Sequence, residues 1–111
     1  MQFIKNSNEF KQIYQKHETL AGKYFLFYYQ KEIPEDLFKV GIVISKKVGK
    51  AVVRNKIRRR IKSFLQQNMH KLPERTKLII LAKKNSCTAG WQEMCVDIAG
   101  GLEKIADENL E

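Results

Sequence analysis

The sequence has few cysteines, no long apolar run and, between Leu37 and Pro73, not a single acidic residue. Its two cysteines, Cys87 and Cys95, are not spaced as Cys-x-x-Cys and can both fall on or beside one helix. They suggest neither a disulfide framework nor a zinc site, and read as reduced packing residues. No window approaches the roughly 18 apolar residues of a membrane span. The opening MQFIKNSNEF lacks the apolar core of a signal peptide, so a cytoplasmic address without a membrane partner is expected. His17 and His70 stand isolated, with no His-x-x-x-His or Glu-x-x-His spacing, and no glycine-rich loop has P-loop or dinucleotide form. Asp36 and Asp97 are single carboxylates, read as solvated or capping. The chain thus offers no catalytic set, and it assigns no metal ligand.

What is present is a folded module. A length of 111 residues with 43% hydrophobic content suits one domain with one core, spanning 1–111. The net charge of +9 is unevenly divided. Residues 1–36 carry five bases and five acids, residues 37–73 eleven bases and no acid, and residues 85–111 one base and six acids. A block of one sign in a compact domain makes a directed positive field, the footprint of a polyanion partner. Nucleic acid is the first candidate and an anionic membrane surface the second.

Asn6 and Glu9 stand at capping-box spacing, and Phe10, Ile13, Tyr14 and His17 follow at helical intervals, predicting a helix from Ser7 to Lys16. KYFLFYYQ, from Lys23 to Gln30, reads as an aromatic strand that ends before the Pro34-Glu35-Asp36 turn. Leu37 to Ser45 reads as a second strand, with Phe38, Val40, Ile42 and Ile44 on one face. A second helix begins near Ala51, and KLIILAK, from Lys77 to Lys83, is a buried strand. A third helix, capped by Ser86 or Thr88, carries Trp91, Met94, Cys95, Ile98, Leu102 and Ile105 as one stripe. Gly100 and Gly101 in its middle predict a frayed end.

In the second helix Val53, Ile57, Ile61, Phe64 and Leu65 share the core face, while Asn55, Arg59 and Lys62 point away and Arg54 and Arg60 flank the stripe. No acid stands at i,i+4 to pair these cations, so a merely solvated face is disfavoured. The apolar face is needed by the sheet, which argues against insertion into lipid. Arginine's planar fork favours phosphate or base-edge contact. Phe25, Phe27 and Tyr29 alternate with Tyr24, Leu26 and Tyr28, so both faces of one strand carry rings and only one can be filled by core. Rings beside a basic helix suit single-stranded or irregular RNA, since bases stack and cations follow the backbone. A general RNA-binding or ribosome-associated module remains an alternative. A duplex-DNA regulator fits poorly, because no helix and tight turn precede the basic helix.

VGIVISKKVGKAVVRNKIRRRIK, Val40 to Lys62, closely resembles the signature of the bacterial ribonuclease P protein component, which runs S-K-K-x-G-x-A-V-x-R-N-x-x-[KR]-R. Weaker similarity extends over nearly the whole chain except the last ten or so residues. The resemblance implies an α+β fold, an α-β sandwich in the order α-β-β-β-α-β-α with a left-handed β-α-β crossover, as in a domain of a small-subunit ribosomal protein. It adds a short strand around Thr19 to Gly22. It implies a partner, a catalytic ribonuclease P RNA that removes the 5′ leader of precursor tRNA with Mg²⁺, and no obligatory protein partner. Carried over residue by residue, Phe10, Tyr14 and Tyr28 would line the cleft for the single-stranded leader, with Lys46 and Lys47 at its rim. Arg54, Asn55, Lys56, Arg58, Arg59, Arg60 and Lys62 would form the helix facing RNA. Lys56 stands where the family has a second arginine, Lys50 where asparagine is common, and Tyr14 where phenylalanine is frequent. At Lys56 charge is kept and the bidentate geometry is lost.

Overall fold

In the computed structural model, which describes residues 1–107, three helices pack on the two faces of one sheet. In chain order the elements are β1 (Gln2–Phe3), α1 (Ser7–Gln15), β2 (Glu18–Ala21), β3 (Phe25–Lys31), β4 (Phe38–Val43), α2 (Ala51–Gln67), β5 (Thr76–Ala82) and α3 (Trp91–Asp107). Across the sheet the order is β1-β4-β5-β3-β2. β4 and β5 run parallel with α2 as the crossover between them, and β3 pairs antiparallel with both β5 and β2. The expected order of helices and strands is present, including the short strand before β3. One element is added to it: β1 pairs with Lys39 and Val40 of β4 at the sheet edge. Two residues are too few for any periodicity to show.

β5 lies at the sheet's centre and is covered on both sides, which is why its sequence is a continuous apolar run rather than an alternation. On one face Phe25, Phe27 and Tyr29 of β3 meet Val40, Leu78 and Ile80, and α2 and α3 close over them with Ile57, Ile61, Leu65, Ile98 and Ile105. Burying each such side chain contributes about 1.5–3 kcal/mol. Among the described residues the other face is covered by α1, through Ile13 packed with Ile79 and Ile4. Two glycines allow close approach. A Cβ on Gly101 would lie 2.6 Å from the Phe27 ring, and one on Gly41 2.5 Å from the Phe10 ring. Gly101 is therefore where α3 sits down on the sheet. The helix does not fray there; it continues to Asp107 with Ile105 fully buried, and the expected fraying of the last residues otherwise lies outside the described ones.

Other local expectations are corrected. Ser86 and Thr88 do not cap α3: they sit in a 3-10 turn, Lys84–Thr88, where the Thr88 hydroxyl donates to the Asn85 carbonyl oxygen. The N-terminus of α3 is instead held by Glu93, whose Oε1 accepts from the Gly90 N–H. Asn6 does cap α1, accepting from the Asn8 N–H at 2.7 Å, whereas Glu9 reaches out to Lys39 at 3.1 Å. Cys87 is exposed in the turn and only Cys95 packs against the core. Tyr24, just before β3, turns into the core beside α3 and donates its hydroxyl to Glu93.

Candidate nucleic-acid interface

α2 is built as an amphipathic cylinder whose own residues include no acid. Ile57, Ile61, Phe64 and Leu65 are buried, and Val53 packs against the same cluster, as the spacing predicts. Asn55, Lys56, Arg59 and Lys62 are exposed. Asn55, Arg58, Arg59, Lys62, Ser63 and Gln66 line a shallow groove along the helix. Arg54 and Arg60 are half-buried and partly engaged: Arg54 Nε donates to the Gly49 carbonyl oxygen at 3.1 Å, and Arg60 Nη1 to that of Ala89 at 3.5 Å. Arg58 donates to Asn55 Oδ1 at 3.3 Å. The helix start is unusual. Its N-cap is Lys50, which makes no side-chain cap, and its first turn holds no acid. Cations beside the positive end of a helix dipole are mutually unfavourable until an anion arrives, and uncapped N–H groups there offer donors to one.

The aromatic residues assemble on the opposite, thinly covered face. Pairing register places Gly41, Ile79, Tyr28 and Thr19 in one row across β4, β5, β3 and β2, and Val43, Leu81, Leu26 and Ala21 in the next. α1 crosses the first row. The Phe10 ring rests on Gly41, and Tyr14 meets the Tyr28 ring edge-on, 5.9 Å between centroids and 72° between planes. Tyr14 is 43% exposed. Burial first, and then the adjacent Tyr28, push its phenol above the ordinary tyrosine range, so it remains a neutral ring and hydrogen-bond donor. The second row is left partly uncovered, a strip of apolar sheet beside three rings. Strips of this kind, edged by cations, hold unstacked bases.

Strand β4 joins the two regions. From Gly41 beneath Phe10 it runs to Val43, and within three residues the chain reaches exposed Lys46 and Lys47 in a 3-10 turn, Lys46–Val48, then enters α2. Phe10, Tyr14 and Tyr28 thus come together as a cluster, with Lys46 and Lys47 just past the end of its floor. Sequence reasoning missed two participants. Gly41 makes room for Phe10, and an isolated glycine inside a strand pattern is the usual sign of such an approach. His17, read as isolated, lies 4.7 Å from the Tyr28 ring. Among the described residues no group of three or more His, Cys, Asp or Glu side chains is placed to hold a metal ion. Nor is any helix among them long and apolar enough to cross a membrane.

A family model for ribonuclease P matches residues 1–106. The ribonuclease P protein component of Streptococcus pneumoniae serotype 4 is 36% identical over 91 residues, covering 82% of this chain and 73% of that protein. The RNase P protein of Staphylococcus aureus superimposes with a TM-score of 0.83 at 29% identity, covering 94% of each chain. That of Thermotoga maritima has a TM-score of 0.84 at 21% identity, covering 91% of this chain and 94% of that one, a likeness of fold alone. With a match over nearly its full length, and the basic helix and aromatic face in one framework, this chain belongs to the ribonuclease P protein family.

Proposed function

We propose that this protein is the protein subunit of a ribonuclease P ribonucleoprotein, binding a catalytic RNA through α2 and the single-stranded 5′ leader of precursor tRNA in the Phe10–Tyr14–Tyr28 cleft. The carrying observation is a basic helix without a single acid that opens from the same strand end as a partly uncovered aromatic floor. Hydrolysis of the phosphodiester, and the Mg²⁺ it uses, belong to the RNA and its substrate in this reading; no step passes through a metal held by these side chains.

The protein's own work is electrostatic and geometric. Two polyanions, catalytic RNA and substrate, repel each other, and a dense row of Arg and Lys lowers that repulsion by displacing condensed counterions. Stacking on Phe10, Tyr14 and Tyr28 keeps the leader extended, so that the scissile phosphate is presented in one orientation. Arg54 and Arg60, each bonded to a backbone carbonyl, give α2 a guanidinium rim, while Arg59 is exposed and Lys62, also exposed, lies beside the Phe3 ring.

The test is cleavage of a 5′-extended precursor tRNA at low Mg²⁺ by a bacterial ribonuclease P RNA, with and without the protein and with an Arg54→Ala/Arg59→Ala variant. Stimulation that the folded double variant loses is the expected result. No stimulation of a competent RNA, despite tight binding to single strands, would replace this reading with a general RNA-binding module.

A further inference from the structure

α1 stands on the aromatic face by a narrow footing. Ile13 is its one fully buried side chain, packed with Ile79 and Ile4, while Phe10 is half-buried and Tyr14 exposed. One buried contact makes a pivot: it holds a helix to a sheet without setting the direction of its axis. A row of polar residues in the sheet supplies that direction. Register places Lys39 of β4 opposite Lys77 of β5, and Lys77 opposite Gln30 of β3. All three side chains end on α1. Lys39 Nζ lies 3.1 Å and Lys77 Nζ 3.9 Å from Glu9 Oε2 in the first turn. Toward the other end, Gln30 Nε2 donates to the carbonyl oxygens of Gln12 at 3.3 Å and Lys16 at 2.6 Å. Successive residues of β3 thus serve the two faces, since Lys31 Nζ donates to the Ile105 carbonyl oxygen of α3.

The place of this row in the sheet gives it a consequence beyond stability. Rows on one face of a sheet are about 6.6–6.8 Å apart. The row next to Lys39, Lys77 and Gln30 is Gly41, Ile79 and Tyr28, on which Phe10, Ile13 and Tyr14 rest. The row after that, Val43, Leu81 and Leu26, is the partly uncovered strip. Both ends of α1 are therefore tied on the side away from the strip. Freed from those ties, the helix can turn about Ile13 over the open row. Glu9, Lys39 and Lys77 are half-buried, so their attraction is screened less than that of a surface pair.

We infer that Glu9 and Gln30, with Lys39 and Lys77, are positioning residues for the leader: they orient α1 so that Phe10 and Tyr14 stand at the margin of the open strip, and they act without touching RNA. This rests on the leader reading above. It carries a consequence of unexpected sign. The negative charge of Glu9 opposes a polyanion, yet its presence strengthens the grip on one.

The experiment measures the affinity of the holoenzyme, this protein with a bacterial ribonuclease P RNA, for a tRNA bearing a 5′ leader and for the same tRNA without one. The ratio of the two isolates what the leader contributes. Wild type is compared with Glu9→Gln, with Gln30→Met, and with the exchange Glu9→Lys/Lys39→Glu, which keeps an acid between two lysines and leaves the net charge as it was; melting curves accompany each. By charge alone, Glu9→Gln raises affinity for both RNAs. The expected result is the reverse for the leader: Glu9→Gln and Gln30→Met each lower the ratio, by up to about tenfold, the worth of one stacked base, while leaderless affinity does not fall. The exchange restores the ratio. Gln30→Met alters no charge and decides the matter alone should Glu9→Gln fail to fold. A ratio that either folded variant leaves unchanged or raises, including a loss shared equally by both RNAs, overturns the inference and leaves the leader reading standing. A wild-type ratio of one removes both.

Discussion

Asp97 reaches from α3 to the turn between β2 and β3, where its carboxylate accepts from the N–H groups of Lys23, Tyr24 and Phe25 at 2.7, 3.0 and 3.1 Å. A carboxylate on successive N–H groups does the work of an anion in a nest. Asp97→Ala should therefore lower stability by about 2–4 kcal/mol, since each N–H left without its charged acceptor costs about 1–3 kcal/mol; urea unfolding measures it. One turn earlier, the Tyr24 hydroxyl donates to Glu93 at 2.6 Å. That bond first, and the Gly90 N–H second, hold the Glu93 carboxyl below the ordinary carboxylate range. A depressed acid stabilises the fold above its unfolded-state pKa and loses that contribution as pH falls through the lower folded value. Tyr24→Phe should accordingly be less stable than wild type at neutral pH, with the gap narrowing on acidification; a gap that widens towards acid would contradict this origin. At Gly41 the effect is functional. Gly41→Ala pushes a methyl into the Phe10 ring, an overpacking worth about 1–3 kcal/mol, and leader affinity should drop with it.

Among the elements, α1 and α2 divide the work. α1 is pinned to the sheet by Glu9, 3.1 Å from Lys39 and 3.9 Å from Lys77, two lysines paired directly across β4 and β5. Without Glu9 those like charges stand opposite each other, a destabilising arrangement in any sheet. α1 would then sit less firmly, and Phe10 and Tyr14 with it. α2 is fixed by its apolar stripe and leaves its polar side free. Arg59→Ala and Lys62→Ala should each weaken RNA binding across sequences and reduce the slope of log affinity against log salt by about 0.7–0.9. Binding isotherms over a salt series decide the matter, and an unchanged slope would remove either residue from the phosphate contacts. Lys62 serves packing as well: its Nζ lies 5.2 Å from the centre of the Phe3 ring on β1, so the basic helix also covers the sheet edge.

Across the whole molecule, charge is separated laterally. α2 lies toward β1, through Phe3 and Lys62, while α3, with Glu93, Asp97, Glu103 and Asp107, lies toward β2 and β3 through the Asp97 and Lys31 bonds. A polyanion approaching α2 would meet no acid on that helix, which favours approach from that flank over the one that carries the acids of α3. If repulsion between catalytic RNA and substrate is what the protein relieves, a divalent cation can relieve part of it. Stimulation of cleavage should thus be largest at low Mg²⁺ and shrink as Mg²⁺ rises; equal stimulation at both ends of a titration would place the protein's contribution elsewhere.

Patterns that are local in the chain were legible without coordinates. The period of Ile57, Ile61, Phe64 and Leu65, the alternation along β3 and the acid-free block determined a core-packed basic helix, an aromatic strand and a polyanion partner, because burial and charge follow directly from residue type and spacing. The Val40–Lys62 motif added the family. Register and approach were decided only by tertiary structure. Which face of β3 stays uncovered depends on where α1 lands, and that depends on Gly41 and on Glu9 bridging lysines distant from it in sequence. His17 stands alone in the chain and becomes a neighbour of Tyr28 only because β2 folds back on β3. Ser86 and Thr88 carry the right chemistry for a cap, yet the chain makes a 3-10 turn first and Glu93 holds the helix start instead. Spacing fixes what a single element can bury, while contacts between elements far apart in sequence exist only once the sheet has brought them together.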